Sequence, residues 1–78
     1  MTKVTIYTTP SCAYCKMTKA FFKENKVQYE EKDVSNDAVA RDEMIAKSNQ
    51  MGVPVIDIDG HILVGFDKDE LSRLLHIK

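Results

Sequence analysis

Only two cysteines occur in the 78 residues, three positions apart at Cys12 and Cys15. A disulfide across so short a loop removes little chain entropy, so the pair makes a poor structural staple. The chain also lacks a block of basic residues. Its formal net charge is −1, with lysines and glutamates mixed along its length. Nucleic acid is therefore not an expected partner, because phosphate neutralisation needs clustered Lys or Arg. No apolar run approaches a membrane span, and no membrane association is expected. From Met1 to Ile6 the chain enters a strand-like pattern with no signal-peptide core. A cytoplasmic location follows as the expectation, and there a lasting structural disulfide is out of place. The length predicts a single domain over residues 1–78, acting as a monomer, with a thin core.

The pattern along the chain predicts an α/β protein. Lys3 to Thr8 alternates Val4 and Ile6 with Thr5 and Tyr7, a strand signature. Thr9-Pro10-Ser11 breaks it. A helix is predicted from Ala13 to Asn25, capped by Ser11 or Cys12, with Met17, Ala20 and Phe21 turned inward and Lys16, Lys19 and Lys23 on the wet side. Val27 to Val34 reads as a second strand. A second helix starts at Ser35-Asn36-Asp37 and runs to Lys47, burying Ala40, Met44 and Ile45. After the loop Ser48 to Gly52, Val53 to Ile58 is an apolar strand. Asp59-Gly60 signals a tight hairpin into a fourth strand, His61 to Val64. Gly65-Phe66 is a turn. Asp67 and Glu70 resemble a capping box for a last helix to Ile77, burying Leu71, Leu74 and Leu75. The order is βαβαββα.

The chemistry resides in Cys12-Ala13-Tyr14-Cys15, between a strand and a helix. The first backbone N–H groups of a helix lack intrahelical partners, and with the helix dipole they favour a negative charge. Cys12 would sit there as a thiolate, the nucleophile of disulfide exchange. Lys16 and Lys19 add positive charge nearby. Cys15, one turn further in, would be more buried and keep its proton longer. It could then attack a mixed disulfide formed at Cys12. Zinc binding is the rival reading of the motif. It needs about four ligands, and only His61 and His76 remain, at a spacing that fits no zinc pattern. Both histidines read as surface residues, and the methionines as core filler. Gly52-Val53-Pro54 opens a strand with a proline. On base rates alone a trans Val53–Pro54 bond is the expected form. The turn Gly65-Phe66-Asp67 reads as an ordinary capped turn, or as a helix mouth able to hold a carboxylate.

Three segments in register, the run from Tyr7 to Cys15, Gly52-Val53-Pro54-Val55-Ile56 and Val64-Gly65-Phe66, resemble the glutaredoxins of the thioredoxin-fold superfamily. The resemblance implies a four-stranded mixed sheet with helices on both faces, and a cis Val53–Pro54 bond. It implies a thiol–disulfide oxidoreductase with Cys12 as nucleophile and Cys15 as resolving thiol, acting on glutathione mixed disulfides or protein disulfides. It also assigns binding roles. Tyr14 would line a glutathione groove, and the backbone of Val53, beside Pro54, would pair with the substrate's cysteine. Gly65, Phe66 and Asp67 would hold the γ-glutamyl carboxylate. No bound cofactor is implied, and glutathione is the co-substrate.

The chain departs from the family pattern at Ala13, where proline is usual, and at Thr8 and Thr9, where many members carry a basic residue. Val64 replaces a glycine. Lys68 stands where an aspartate meets the glutathione ammonium, with Asp67 one position early. The Val-Gly-Phe turn is also similar to the glutaredoxin-like redoxins that serve ribonucleotide reductase and are reduced by thioredoxin reductase. That donor is the alternative to glutathione. Iron–sulfur cluster or metal binding, as in some glutaredoxins, is a further one.

Overall fold

The computed structural model describes residues 3–50 and 52–77. The strand-like start at Met1 and Thr2, and Met51 of the predicted loop, lie outside them. The elements are β1 (Val4–Thr8), α1 (Ala13–Glu24), β2 (Glu30–Asp33), α2 (Ala38–Ser48), β3 (Val55–Ile58), β4 (His61–Val64) and α3 (Lys68–Leu75). They form one sheet in the order β2-β1-β3-β4. β1 pairs parallel with β2 and antiparallel with β3, and β3 pairs antiparallel with β4.

Alternation along the central strands sorts side chains to two faces, because successive residues of a strand point opposite ways. Val4 and Ile6 of β1, with Ile56 and Ile58 of β3, pack against Phe21 and Phe22 of α1 and Leu71 of α3. Tyr7 and Val55 point the other way, onto Ala40 and Met44 of α2. Helices therefore cover both faces, as the resemblance implied. Asp59 and Gly60 both have positive φ, the backbone of a two-residue hairpin turn whose twist matches its strands. Among the described residues, no helix is long and apolar enough to cross a membrane.

Several boundaries differ from the sequence reading. β2 begins at Glu30 rather than Val27, because the end of α1 holds the intervening chain. Lys26 is left-handed with φ 58°, its N–H donates to the Lys23 carbonyl, and the Val27 N–H donates to the Phe22 carbonyl at 2.8 Å. These two bonds form a Schellman-type cap, a position that usually takes glycine. A non-glycine residue there costs about 1–2 kcal/mol, partly offset by the extra freedom glycine has when unfolded. Lys26→Gly is expected to stabilise the fold by about 0.5–1 kcal/mol in urea denaturation. β3 begins at Val55, two residues later than predicted.

The inward face of α1 also differs. Phe21 is buried as predicted, but Met17 and Ala20 are exposed, and Cys15, Thr18 and Phe22 complete the buried face in their place. Thr18 tolerates burial because its hydroxyl donates to the Tyr14 carbonyl at 2.8 Å. At α3 only half of the capping box forms. The Asp67 carboxylate accepts the Glu70 N–H at 3.1 Å, but the Glu70 side chain turns to Arg73.

Under α2 the buried Tyr7 ring ends in a charged network. Its hydroxyl donates to Glu43. Lys47 donates to the Tyr7 hydroxyl at 3.1 Å and to Asp57 at 2.7 Å, and Lys32 reaches Glu43 at 3.1 Å. The Tyr7 hydroxyl and then Lys32 hold the Glu43 carboxyl down to about 2, against an ordinary 4.5. A carboxylate depressed in the folded state stabilises it above its unfolded pKa, and that stabilisation is lost as pH falls through the folded value. Wild-type stability is therefore expected to fall between pH 4.5 and about 2. Glu43→Gln should be less stable at neutral pH and show a flatter acid limb in denaturation followed by circular dichroism.

Candidate functional site

The C-terminal end of β1, the N-terminal end of β3 and the C-terminal end of β4 lie side by side. Tyr7 pairs with Val55 and Val55 with Val64, while the Gly65 N–H donates to the Pro54 carbonyl at 2.8 Å. The turn Thr9 to Cys12 rises from this end of the sheet and closes with the Cys12 N–H on the Thr9 carbonyl at 3.3 Å. It delivers α1 with Cys12 as its N-cap. The cap acceptor is the sulfur itself, since the Cys15 N–H donates to Cys12 Sγ at 3.1 Å. Serine, threonine or aspartate ordinarily fills such a position with oxygen. Here a thiol stands at the positive end of the helix. Of the two candidate caps, Ser11 and Cys12, the helix uses Cys12.

Cys12 is half-buried and Cys15 is 0% exposed. Burial pushes the Cys15 thiol up, and the neighbouring Cys12 sulfur pushes the same way, while the Thr8 hydroxyl and the Thr9 backbone oppose them. The two sulfurs are thus chemically unlike: one at the mouth of the helix, one a turn inside it and held protonated.

The sequence reading did not single out Thr8 as a neighbour of Cys15. Thr8 is only 1% exposed. Its signal was register: Val4 and Ile6 point to α1, so the next residue on that face is Thr8.

The other sequence-predicted site residues fall at the same end of the sheet. The Val53–Pro54 bond is cis, Pro54 is buried and Val53 is half-buried. Gly65 takes φ 81°, which turns the chain from β4 toward α3. Phe66 meets Phe21 edge-on at 6.0 Å between ring centres. Tyr14 is 62% exposed beside Cys12. Asp67 faces its own helix, where it caps α3. His61 and His76 are exposed and lie in other parts of the fold. Among the described residues, no three His, Cys, Asp or Glu side chains converge as a metal site.

The glutaredoxin family model matches residues 4–63. The chain belongs to the glutaredoxin family. An "uncharacterized glutaredoxin-like 8.6 kDa protein in rubredoxin operon" of Clostridium pasteurianum is 44% identical over 72 residues, covering 92% of this chain and 96% of that one. Glutaredoxin 3 of Escherichia coli K12 is 37% identical over 67 residues, covering 86% of this chain and 81% of that one. The thioredoxin-like protein BC3987, solved as its T8A variant, superposes with a TM-score of 0.93 at 38% identity, over the full length of both chains. This glutaredoxin therefore has the thioredoxin-like fold, with its two cysteines in the CxxC arrangement at the start of α1.

Proposed function

We propose that this glutaredoxin reduces disulfides by exchange at Cys12, with Cys15 as the resolving thiol. One observation carries the reading. Cys12 Sγ accepts the Cys15 N–H at the mouth of α1, while Cys15 is wholly buried. The Cys12 thiolate attacks a protein disulfide or a glutathione mixed disulfide, and the first thiol leaves. Cys15 then attacks Cys12 Sγ, loses its proton and releases the second thiol. The Cys12–Cys15 disulfide that remains must be reduced by a donor. In this reading Tyr14, inside the CxxC, and the cis Val53–Pro54 segment at the same end of the sheet hold the substrate's half of the mixed disulfide.

Glutathione is the donor that the family resemblance implies. In that reading Gly65, Phe66 and Asp67 take its γ-glutamyl carboxylate. A second reading, in which a thioredoxin reductase is the donor, is favoured by one feature: Asp67 already turns its own carboxylate to the Glu70 N–H at the start of α3, where the glutathione reading puts a second carboxylate. The test is NADPH oxidation coupled to glutathione plus glutathione reductase in one assay and to thioredoxin reductase in another. Turnover in at least one is expected. Silence in both, with free thiols present, contradicts the activity.

A further inference from the structure

α2 covers only one end of its face of the sheet. It lies over Tyr7 and Val55. The next row down that face is Glu30, Thr5 and Asp57, paired across β2, β1 and β3. Thr5 points to this side because Val4 and Ile6 point to the other. A cavity of about 260 Å³ stands on the row, with Thr5 at its floor, Glu30 on one side and Asp57 and Asp59 on the other. It is remote from the cysteines. Cys15 lies on the α1 side of the sheet, and Thr5 is three residues, about 10 Å, down β1 from Thr8.

Thr5 is only 6% exposed, yet its hydroxyl bonds no described residue. Among the described residues no fully enclosed side-chain oxygen or nitrogen lacks a partner, so this hydroxyl opens onto the cavity that Thr5 lines. A polar group held there without a protein partner is costly unless something in the cavity bonds it. The charges say what that is. Four carboxylates and three ammonium groups line the cavity among the described residues. Lys32 reaches Glu43 at 3.1 Å and Lys47 reaches Asp57 at 2.7 Å, so these four offset one another. Glu30 and Asp59 remain against Lys3, an excess of one negative charge.

We infer that this cavity binds a small organic cation with a primary ammonium head. Such a head carries three N–H donors. Glu30 and Asp57 flank Thr5 on the adjacent strands, each about 4.8 Å away, so carboxylate, hydroxyl and carboxylate stand in a row of acceptors. The Thr5 hydroxyl accepts one N–H, and Glu30 supplies the charge that the internal pairs leave unmatched. The volume falls below the roughly 300–1,000 Å³ of pockets for drug-sized ligands, which restricts the occupant to a small amine. An anion would meet the negative excess, and a quaternary ammonium would leave the hydroxyl without a donor.

The experiment titrates the ¹⁵N-labelled full chain with n-butylammonium chloride at fixed ionic strength and follows the amide resonances by NMR. Saturable shifts are expected at Thr5, Glu30 and Gly60, with a dissociation constant in the millimolar range. Tetramethylammonium, equal in charge but without N–H groups, should produce no saturation. Thr5→Val keeps a β-branched strand residue and removes the hydroxyl, and Glu30→Gln removes an exposed charge. Each should weaken binding by about tenfold, the loss of one hydrogen bond to a charged group. Asp69→Asn, which removes an equal charge on α3, should leave the constant unchanged. Should circular dichroism show Thr5→Val unfolded, Glu30→Gln decides alone. Shifts that rise linearly with amine overturn the inference. So does an unchanged constant in either folded variant, or equal binding of tetramethylammonium. Saturation of the same amides by inorganic phosphate assigns the cavity to its lysines, and also overturns it.

Discussion

Cys12→Ser is expected to remove turnover with every disulfide substrate, by more than about a thousandfold, or over about 4 kcal/mol of barrier. The reason is chemical. Disulfide exchange needs a thiolate, and a serine hydroxyl at the same position stays protonated at neutral pH. Serine is also a good N-cap, so its oxygen replaces sulfur as acceptor for the Cys15 N–H and α1 keeps its start. The variant should therefore fold normally. Unchanged denaturation with lost NADPH-coupled activity is the expected pair of results. Retained activity in the folded variant would falsify the assignment of Cys12.

The second large effect separates the two cysteines. Cys15→Ser leaves the attacking sulfur in place, and the backbone N–H that meets Cys12 Sγ belongs to residue 15 whatever its side chain. The first exchange should proceed. Without a second thiol, a mixed disulfide with a protein has no internal route to release. Reduction of protein disulfides should fall to background, and the mixed disulfide should accumulate as a stable adduct on a non-reducing gel. Activity on glutathione mixed disulfides should survive where free glutathione does the releasing. Equal loss of both activities would contradict the separate roles. Serine is smaller and more polar than cysteine, and position 15 is fully buried. Some loss of stability is therefore expected, and is measured independently by urea denaturation.

The fold was legible where local chemistry is strict. β1 announced itself by alternation, and the Asp59-Gly60 turn requires two residues at positive φ, which that pair adopts readily. The CxxC motif was readable because a cysteine at a strand-to-helix junction has few other uses. The misreadings have a common origin in tertiary context. Val27 and Tyr29 look like strand residues and are partly buried, but the left-handed Lys26 keeps that segment out of the sheet. On α1 the buried face includes a threonine, whose hydroxyl is satisfied within the helix, so periodicity assigned the inward face to Met17 and Ala20 instead. The Val53–Pro54 geometry could not be read from composition, since base rates favour trans, and only the family resemblance pointed to cis. Thr8 was hidden because its relation to Cys15 depends on how α1 returns over β1.

The unlikeness of the two sulfurs can be read directly. Reduced protein is treated at neutral pH with less than one equivalent of iodoacetamide, and the labelled peptides are mapped by mass spectrometry. Alkylation should fall almost wholly on Cys12, which is accessible and hydrogen-bonded at the helix mouth, and spare Cys15, which is buried and held protonated. Label shared evenly between the two, or found first on Cys15, would contradict the account.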